Sequence, residues 1–512
     1  MIYRNTNRND YLSSCEFHAT IKKQKNIRMK KLVLIVIISV FGILNTPQVL
    51  TAQNSTKFRF RKDHTFRIAQ FTDIHWDPGF AENNKTVATI NHVLNAEKPD
   101  LAVLTGDIVT APPAREGWDA ICAIFEKAKM PFAVVLGNHD AEANITRDQI
   151  FDYIQSKPYF VGSKGPELYG CGNYALPVQA SGGKKIAAVI YCMDSNDYPK
   201  EKKIGHYDWI RYDQIGWYRA TSDKYTAQNN GLPVPSLMYF HIPLIEFNNV
   251  VGKETTVGVK NEGIAAGAVN SGLFASLAEK KDVMGVFVGH DHDNNFIGIE
   301  HDIALAFGQV TGADAYGDLE RGSRIVELHE DEYRFDTWIR TASGVQFKYN
   351  YPSGLAADAG NVEYLPAMKI DGLKPGVSFS YFEGKFKSTD ELTNAKPMKK
   401  GTLKNFTIAE AAATDSFAYE FKAWLKIPKK GVYRFYTYSD DGSKLVIDGR
   451  EVVNNDGSHG AQRADGKIAL DEGFHQITVR YFEDYMGNEL EVGFSSIGIR
   501  ECVIPDNFLF TE

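Results

Sequence analysis

The sequence predicts a layered α/β domain followed by an all-β sandwich. Three observations predict it. From about residue 57 to 344, short apolar runs alternate with helix-like segments. From about residue 376 to the end, short alternating strands are separated by turn signals, with little helix. Between them, residues 346–375 are rich in Gly, Pro, Ala and Asp and read as a linker. Strand–helix alternation belongs to layered α/β folds, and closely spaced strands with Gly- and Asp-bearing turns belong to sandwiches.

The elements follow in order. Runs at 66–71, 101–104, 132–136 and 283–288 are mainly apolar, as strands buried on both faces are; Arg67 and Gln70 interrupt the first. Residues 86–96 read as a helix with Val87, Ile90, Val93 and Leu94 on one face. Residues 118–129 repeat the pattern, with Ile121, Ile124 and Phe125 inward. Further strands are expected at 186–193, 236–240 and 303–307, and a hairpin at 324–328 and 333–339 turning at Glu330-Asp331. In the last region strands are expected at 417–427, 431–439, 444–447, 474–483 and 490–495, with Asp448-Gly449 as a hairpin turn. No internal repeat is visible.

The 512 residues suffice for two to four domains, and 43% hydrophobic with 12% aromatic content allows substantial cores. A net charge of -7, without a long basic run in the mature region, argues against nucleic acid as a partner. Lys30-Lys31, the apolar run 32–44 and Leu50-Thr51-Ala52 describe a secretory signal over 29–52. Residues 1–28 then read as an upstream extension that is not made. Secretion or a periplasmic location, without a stable membrane span after cleavage, is the expectation, and a single membrane anchor is the alternative. Cys122, Cys171, Cys192 and Cys502 are too sparse for a disulfide scaffold. Cys171 and Cys192 flank the turn at Ser181-Gly182-Gly183 and read either as a pair or as buried thiols.

Five polar clusters punctuate the first domain: Asp73-Ile74-His75, Gly106-Asp107, Gly137-Asn138-His139-Asp140, His241-Ile242-Pro243 and Gly289-His290-Asp291-His292. Each sits where a strand gives way to a loop, the place where ligand sites collect in such folds. They supply Asp, His and Asn but no Cys, a set suited to two ions of intermediate hardness such as manganese, iron or zinc. Two cations about 3.5–4 Å apart are one solution to phosphate-ester hydrolysis, since they neutralise the phosphate and lower the pKa of a water. Asp107, after a Gly that lets the chain turn, is the candidate bridging carboxylate. His139 points away from Asn138 by alternation and is free to face a leaving group.

The order Asp-x-His, Gly-Asp, Gly-Asn-His, His, Gly-His-x-His resembles the calcineurin-like metallophosphoesterase superfamily. The resemblance covers the first domain, 57–345. It implies two β-sheets flanked by helices. It also implies one metal held by Asp73, His75, Asp107 and His292 and another by Asp107, Asn138, His241 and His290. His139 would protonate the leaving oxygen or stabilise the transition state, oriented by Asp140. The finer likeness is to the purple-acid-phosphatase-like branch. There this chain departs from the family: Thr110 stands where a Tyr binds ferric iron, and His75 where a non-ligand Gly is found. A tyrosinate-bound ferric centre is therefore not expected. Trp76, His206, Tyr207, Trp209 and Trp217 fall near segments that could roof the site, with packing as the plainer reading. Asp194 and Asp197 could line it or be solvated. His64, His92, His301 and His329 have no motif context.

In the last region, Tyr436 to Ser443, Leu445 to Gly449, Asn455 to Gly460, Gly473-Phe474-His475 and Tyr481-Phe482-Glu483 together resemble the protective-antigen-type lectin-like domain, over about 376–512. The resemblance implies calcium chelated by the adjacent pair Asp440 and Asp441, and a glycan or cell-envelope polymer as partner. Aspartates before Gly also simply make turns, and His459 and His475 read as turn and core residues. The combined expectation is a dinuclear phosphoesterase hydrolysing phosphate mono- or diesters through metal-activated water. Its alternative is a glycan-binding protein with an idle phosphoesterase scaffold; a nuclease lacks a basic, aromatic-lined track.

Overall fold

The computed structural model describes residues 58–356 and 363–512. The upstream extension and the secretory segment lie outside the described residues, as do residues 357–362 of the expected linker. Among the described residues no helix is long and apolar enough to cross a membrane.

Two seven-stranded sheets build the first domain. One carries the parallel strands Thr65–Phe71, Leu101–Thr105 and Phe132–Val135 at one side, extended by the antiparallel Gly322–His329, Phe335–Thr341 and Gly344–Tyr351. The other is centred on parallel Ile186–Cys192, Ser236–Tyr239, Val283–Val288 and Ile303–Phe307. Burial explains their apolar runs. Along Ile186–Cys192, Ala188, Ile190 and Cys192 join the core shared by the two sheets, while Val189 and Tyr191 join a second core on the opposite face. Leu237 and Tyr239 divide from Met238 and Phe240 in the same way. Strands covered on both faces have no polar side to show.

Helices Asn83–Glu97 and Ala114–Ala128 cover the first sheet, and their inward residues Ile90, Val93, Ile121 and Phe125 are fully buried. The second of these begins a turn earlier than its apolar stripe indicates, with Pro113 at its N-cap. Helices Arg147–Ile154, Tyr212–Gln228 and Leu273–Lys280 add to the two read from the sequence. The first of the three starts at a reciprocal cap between Thr146 and Gln149.

The stretch read as a linker from 346 is in part sheet: Gly344–Tyr351 and Leu355–Ala356 extend the first domain to 356. Its Pro352-Ser353-Gly354 sequence makes a tight turn between these two strands. Tyr349 and Tyr351 are buried, and Tyr351 stacks on Phe335 with ring centroids 4.9 Å apart.

The second domain is all-β and antiparallel. One sheet is built around Phe417–Ile427, Gly473–Glu483 and Ser443–Ile447, and a four-stranded sheet around Gly431–Asp440 and Glu489–Ser496. Tyr419, Phe421 and Leu445 from one meet Phe435 and Phe494 from the other in a single core. The Asp448-Gly449 hairpin forms as expected: φ is 47° and 79°, the left-handed pair that such a turn needs.

Candidate metal centre

All five clusters lie just beyond the carboxyl ends of parallel strands: Asp73 after Phe71, Asp107 after Thr105, Asn138 after Val135, His241 after Tyr239 and His290 after Val288. The chain turns through left-handed backbone at three of them. Asp73, His75, Asp107 and His290 adopt left-handed backbone, with φ of 51°, 47°, 49° and 81°. Each costs energy for a non-glycine residue, and such strain gathers at functional sites. Two glycines make the turns close enough. A Cβ on Gly106 would overlap the His241 ring, and one on Gly137 would overlap Asp107.

The clusters converge into two donor groups, Asp73 with His75 and His292, and Asp107 with His241 and His290. In the first, Asp73 Oδ1 lies 3.4 Å from His292 Nε2. In the second, His241 Nε2 lies 3.2 Å from His290 Nδ1. One oxygen of Asp107 stands between the groups: Oδ2 is 3.1 Å from His241 Nε2 and 3.8 Å from His75 Nε2. Its other oxygen accepts the His139 backbone N–H at 2.8 Å, which fixes the carboxylate's rotation. Asp73 is fixed likewise, by the His290 backbone N–H and the Thr72 hydroxyl. His241 Nδ1 donates to the Thr105 carbonyl at 2.8 Å, which fixes the ring and leaves Nε2 as the atom facing Asp107 and His290.

Electrostatics and unmet hydrogen bonding agree with cation binding. Burial pushes His75 down to about 4 and His290 down to about 3, leaving both rings neutral with free lone pairs. Burial also opposes charge on Asp107 and Asp73, yet the facing imidazoles, led by His241 and His292 respectively, hold both carboxyls below their ordinary value. Against burial, Asp107 lifts His241 to about 9. A field that retains a proton there would retain a metal in its place. His75 Nε2 and Asn138 Oδ1 are buried without any hydrogen-bond partner. Each such atom costs roughly 1–3 kcal/mol unless something satisfies it. Carboxylate, imidazole and amide oxygen without thiolate fit manganese, iron or zinc.

His139 and Asp140 divide differently from the sequence reading. The His139 ring stands 5.8 Å from that of His75, at the mouth of the site. Its Nδ1 meets Glu142 Oε2 at 2.7 Å, so Glu142, and not Asp140, orients it. Asp140 is fully buried and turned the other way. Its oxygens accept the backbone N–H groups of Ile108 and Val109, at 2.8 and 3.0 Å, and of Gly137 at 2.8 Å. Asp140 therefore ties the Asp107 loop to the Asn138 loop. Burial and the nearby Asp107 push its carboxyl up to about 6.

The rim is aromatic. Tyr207 packs edge-on against His290, with centroids 4.3 Å apart, and His206 packs on Tyr207. Tyr316 stacks on His292 at 3.9 Å, and the Tyr198 hydroxyl lies 3.0 Å from Asn138 Nδ2. Tyr198, Glu142 and Tyr316 escaped the sequence reading because each lies in a loop without periodicity. Trp76 is buried beside Val109, Trp217 packs in the second core and Trp209 lies under the Arg211 guanidinium. Asp194 is a buried partner of Arg147, whose Nη1 donates to the Gly137 carbonyl at 2.7 Å; Asp197 lies farther out. His64, His92 and His329 make local bonds to Glu330, Thr341 and Asp336, and His301 is exposed. Cys171 and Cys192 are buried free thiols.

In the second domain Asp440 and Asp441 meet Glu483 in a third acidic group. Asp441 is held by the backbone N–H groups of His459 and Asp484, each at 2.8 Å, and Asp440 by that of Ala461 at 3.1 Å. Burial and Asp441 push the Glu483 carboxyl up to about 7, and its Oε1 is buried without a partner. Glu483 was visible in the sequence only as part of Tyr481-Phe482-Glu483. His459 closes its own turn, and His475 is a core residue bonded to Asp448.

Residues 66–294 match the profile of the calcineurin-like phosphoesterases, and residues 373–507 that of the PA14 domain. A relative from Arabidopsis thaliana named "Probable inactive purple acid phosphatase 29" is 34% identical over 57% of this chain and 84% of its own length. "Phosphatase DCR2" of Saccharomyces cerevisiae is 28% identical over 57% of this chain and 56% of its own length. Among solved structures, a dimetal phosphatase from Danio rerio aligns over 56% of this chain and 98% of its own, at 13% identity and a TM-score of 0.40.

Proposed function

The chain belongs to the calcineurin-like phosphoesterase family, and from that premise we propose that it hydrolyses phosphate mono- or diesters at a dinuclear metal centre. The observation that carries this reading is the position of Asp107 Oδ2 between two donor groups, 3.1 Å from His241 Nε2 and 3.8 Å from His75 Nε2. Asp73, His75, Asp107 and His292 would hold one ion, and Asp107, Asn138, His241 and His290 the other. Bound there, manganese, iron or zinc would supply Lewis acidity, neutralise phosphate charge and activate a water. The chain's own residues do the rest. The aromatic rim of Tyr198, Tyr207 and Tyr316 gives the ester's organic group flat faces to pack on. His139, half out of the site, holds a proton for the departing oxygen.

The PA14 domain is proposed to hold calcium at Asp440, Asp441 and Glu483 and through it a glycan of a cell envelope. The segment 29–52 supports a secreted or periplasmic location. The name of the Arabidopsis relative, which calls it "Probable inactive", favours a second reading, a glycan-binding protein on an idle scaffold. Against it, all seven expected donors are present in this sequence and six of them converge in the two groups. Asp107→Ala and His241→Ala decide between the two. Under the first reading both lose metal and turnover while the far-ultraviolet circular dichroism stays that of the parent. Activity retained in Asp107→Ala would end the dinuclear reading. A glycan array probed by the full chain with and without calcium tests the second domain, and binding indifferent to calcium would remove the calcium role.

A further inference from the structure

One side chain touches both halves of the proposed machinery. Tyr198 lies in the loop after strand Ile186–Cys192, on a different sheet from the strands that lead to Asn138 and Glu142. Its hydroxyl accepts from Asn138 Nδ2 at 3.0 Å and donates to Glu142 Oε1 at 3.1 Å. Glu142 uses its second oxygen for His139 Nδ1, at 2.7 Å. A single chain of hydrogen bonds thus runs Asn138–Tyr198–Glu142–His139.

Each link has a directional consequence. An Asn amide can present oxygen or nitrogen, and only oxygen can bind a cation. With its NH2 held by Tyr198, Asn138 keeps Oδ1 for the site, the atom that is buried and otherwise unpaired. A phenol has one proton to donate. Spending it on Glu142 leaves the oxygen lone pairs for the Asn138 amide, so the two bonds fix each other's direction. Glu142 in turn holds the proton of His139 on Nδ1 and fixes the ring plane, leaving Nε2 as the atom facing outward. His139 and Glu142 are exposed by 39% and 47%, so neither ring nor carboxylate is fixed by packing alone.

We infer that Tyr198 is a positioning residue that sets the metal-facing oxygen of Asn138 and, through Glu142, the orientation of His139. This rests on the phosphoesterase reading for its second half and on metal binding alone for its first.

The test separates them. Manganese(II) affinity of the full chain is measured by electron paramagnetic resonance of the free ion, together with turnover of aryl phosphates with good and poor leaving groups. Tyr198→Phe keeps the ring and removes the hydroxyl. It should weaken one of the two manganese sites roughly tenfold, at the lower end of what loss of a ligand's supporting bond does. It should also slow poor leaving groups more than good ones. Glu142→Gln should leave manganese affinity at the parent value and reproduce only the leaving-group effect, with Glu142→Asp recovering part of it. Parent-like manganese affinity in a folded Tyr198→Phe overturns the inference, as does an equal effect of Glu142→Gln on all leaving groups. If the parent binds two manganese ions but turns over no ester, a weakened site in Tyr198→Phe still supports the Asn138 link while the reaction itself fails. A parent that binds no manganese overturns both.

Discussion

Replacing Asp140 by Ala should destabilise the metal-free protein far more than a surface carboxylate would. Three buried backbone N–H groups, those of Ile108, Val109 and Gly137, lose their acceptor together. Each orphaned donor costs about 1–3 kcal/mol. Water entering the space left by the carboxylate would relieve part of this, so about 3–5 kcal/mol is the expected loss. For a domain of this size that lowers Tm on the order of 10 °C. Asp140→Asn should fall between. Its amide oxygen can still serve Ile108 and Val109, but its NH2 then faces the Gly137 N–H, donor against donor, for about 1–3 kcal/mol. The assay is thermal unfolding followed by circular dichroism in the presence of a chelator. The reasoning fails if Asp140→Ala melts within about 2 °C of the parent, less than one lost hydrogen bond's worth. Loss of activity confined to poor leaving groups in such a stable variant would return Asp140 to a place against His139.

Three further outcomes follow from the geometry. Gly106→Ala and Gly137→Ala put a methyl group into the His241 ring and the Asp107 carboxylate, so both should lose at least one metal per chain by elemental analysis; full occupancy in either contradicts the packing. His475 is opposed by burial but raised above 6.5 by its bond to Asp448, so its stabilisation is fully present below 6.5 and lost as pH rises through its folded value. The urea midpoint of the second domain should therefore fall across that range, and fall less in Asp448→Asn. Glu483 is pushed up to about 7, so calcium must displace a proton below that value. Calcium affinity by calorimetry should drop as pH falls through about 7, and a pH-independent affinity in that range would remove Glu483 from the site.

The sequence made the first domain legible where burial on both faces wrote continuous apolar runs, and the site legible because metal donors have few chemical substitutes. Asp73, His75, Asp107, His241, His290 and His292 do converge. Other parts were hidden for physical reasons. Helix Tyr212–Gln228 mixes Trp217, Tyr218 and Tyr225 with polar residues around its circumference and so shows no clear apolar stripe. Helix Arg147–Ile154 is short, although the Thr146-x-x-Gln149 cap was a usable signal. The strand at Gly344–Tyr351 was masked by the Pro-Ser-Gly turn behind it. The Asp140 assignment failed because adjacency in sequence says nothing about direction after a sharp turn: His139 faces out and Asp140 faces in. Glu142 could be found only once the chain had been folded back, since His139 and Glu142 meet at i and i+3 in a loop and not in a helix.

The most direct test of the central claim is a metal count paired with turnover. The purified chain is stripped with chelator, reloaded with manganese, zinc or iron, and assayed on para-nitrophenyl phosphate beside its bis-ester. The account predicts two ions per chain, no turnover without metal, and hydrolysis of one of the two esters that rises as the second ion binds. Two bound ions with no hydrolysis of either ester, or hydrolysis that survives complete removal of metal, would contradict it.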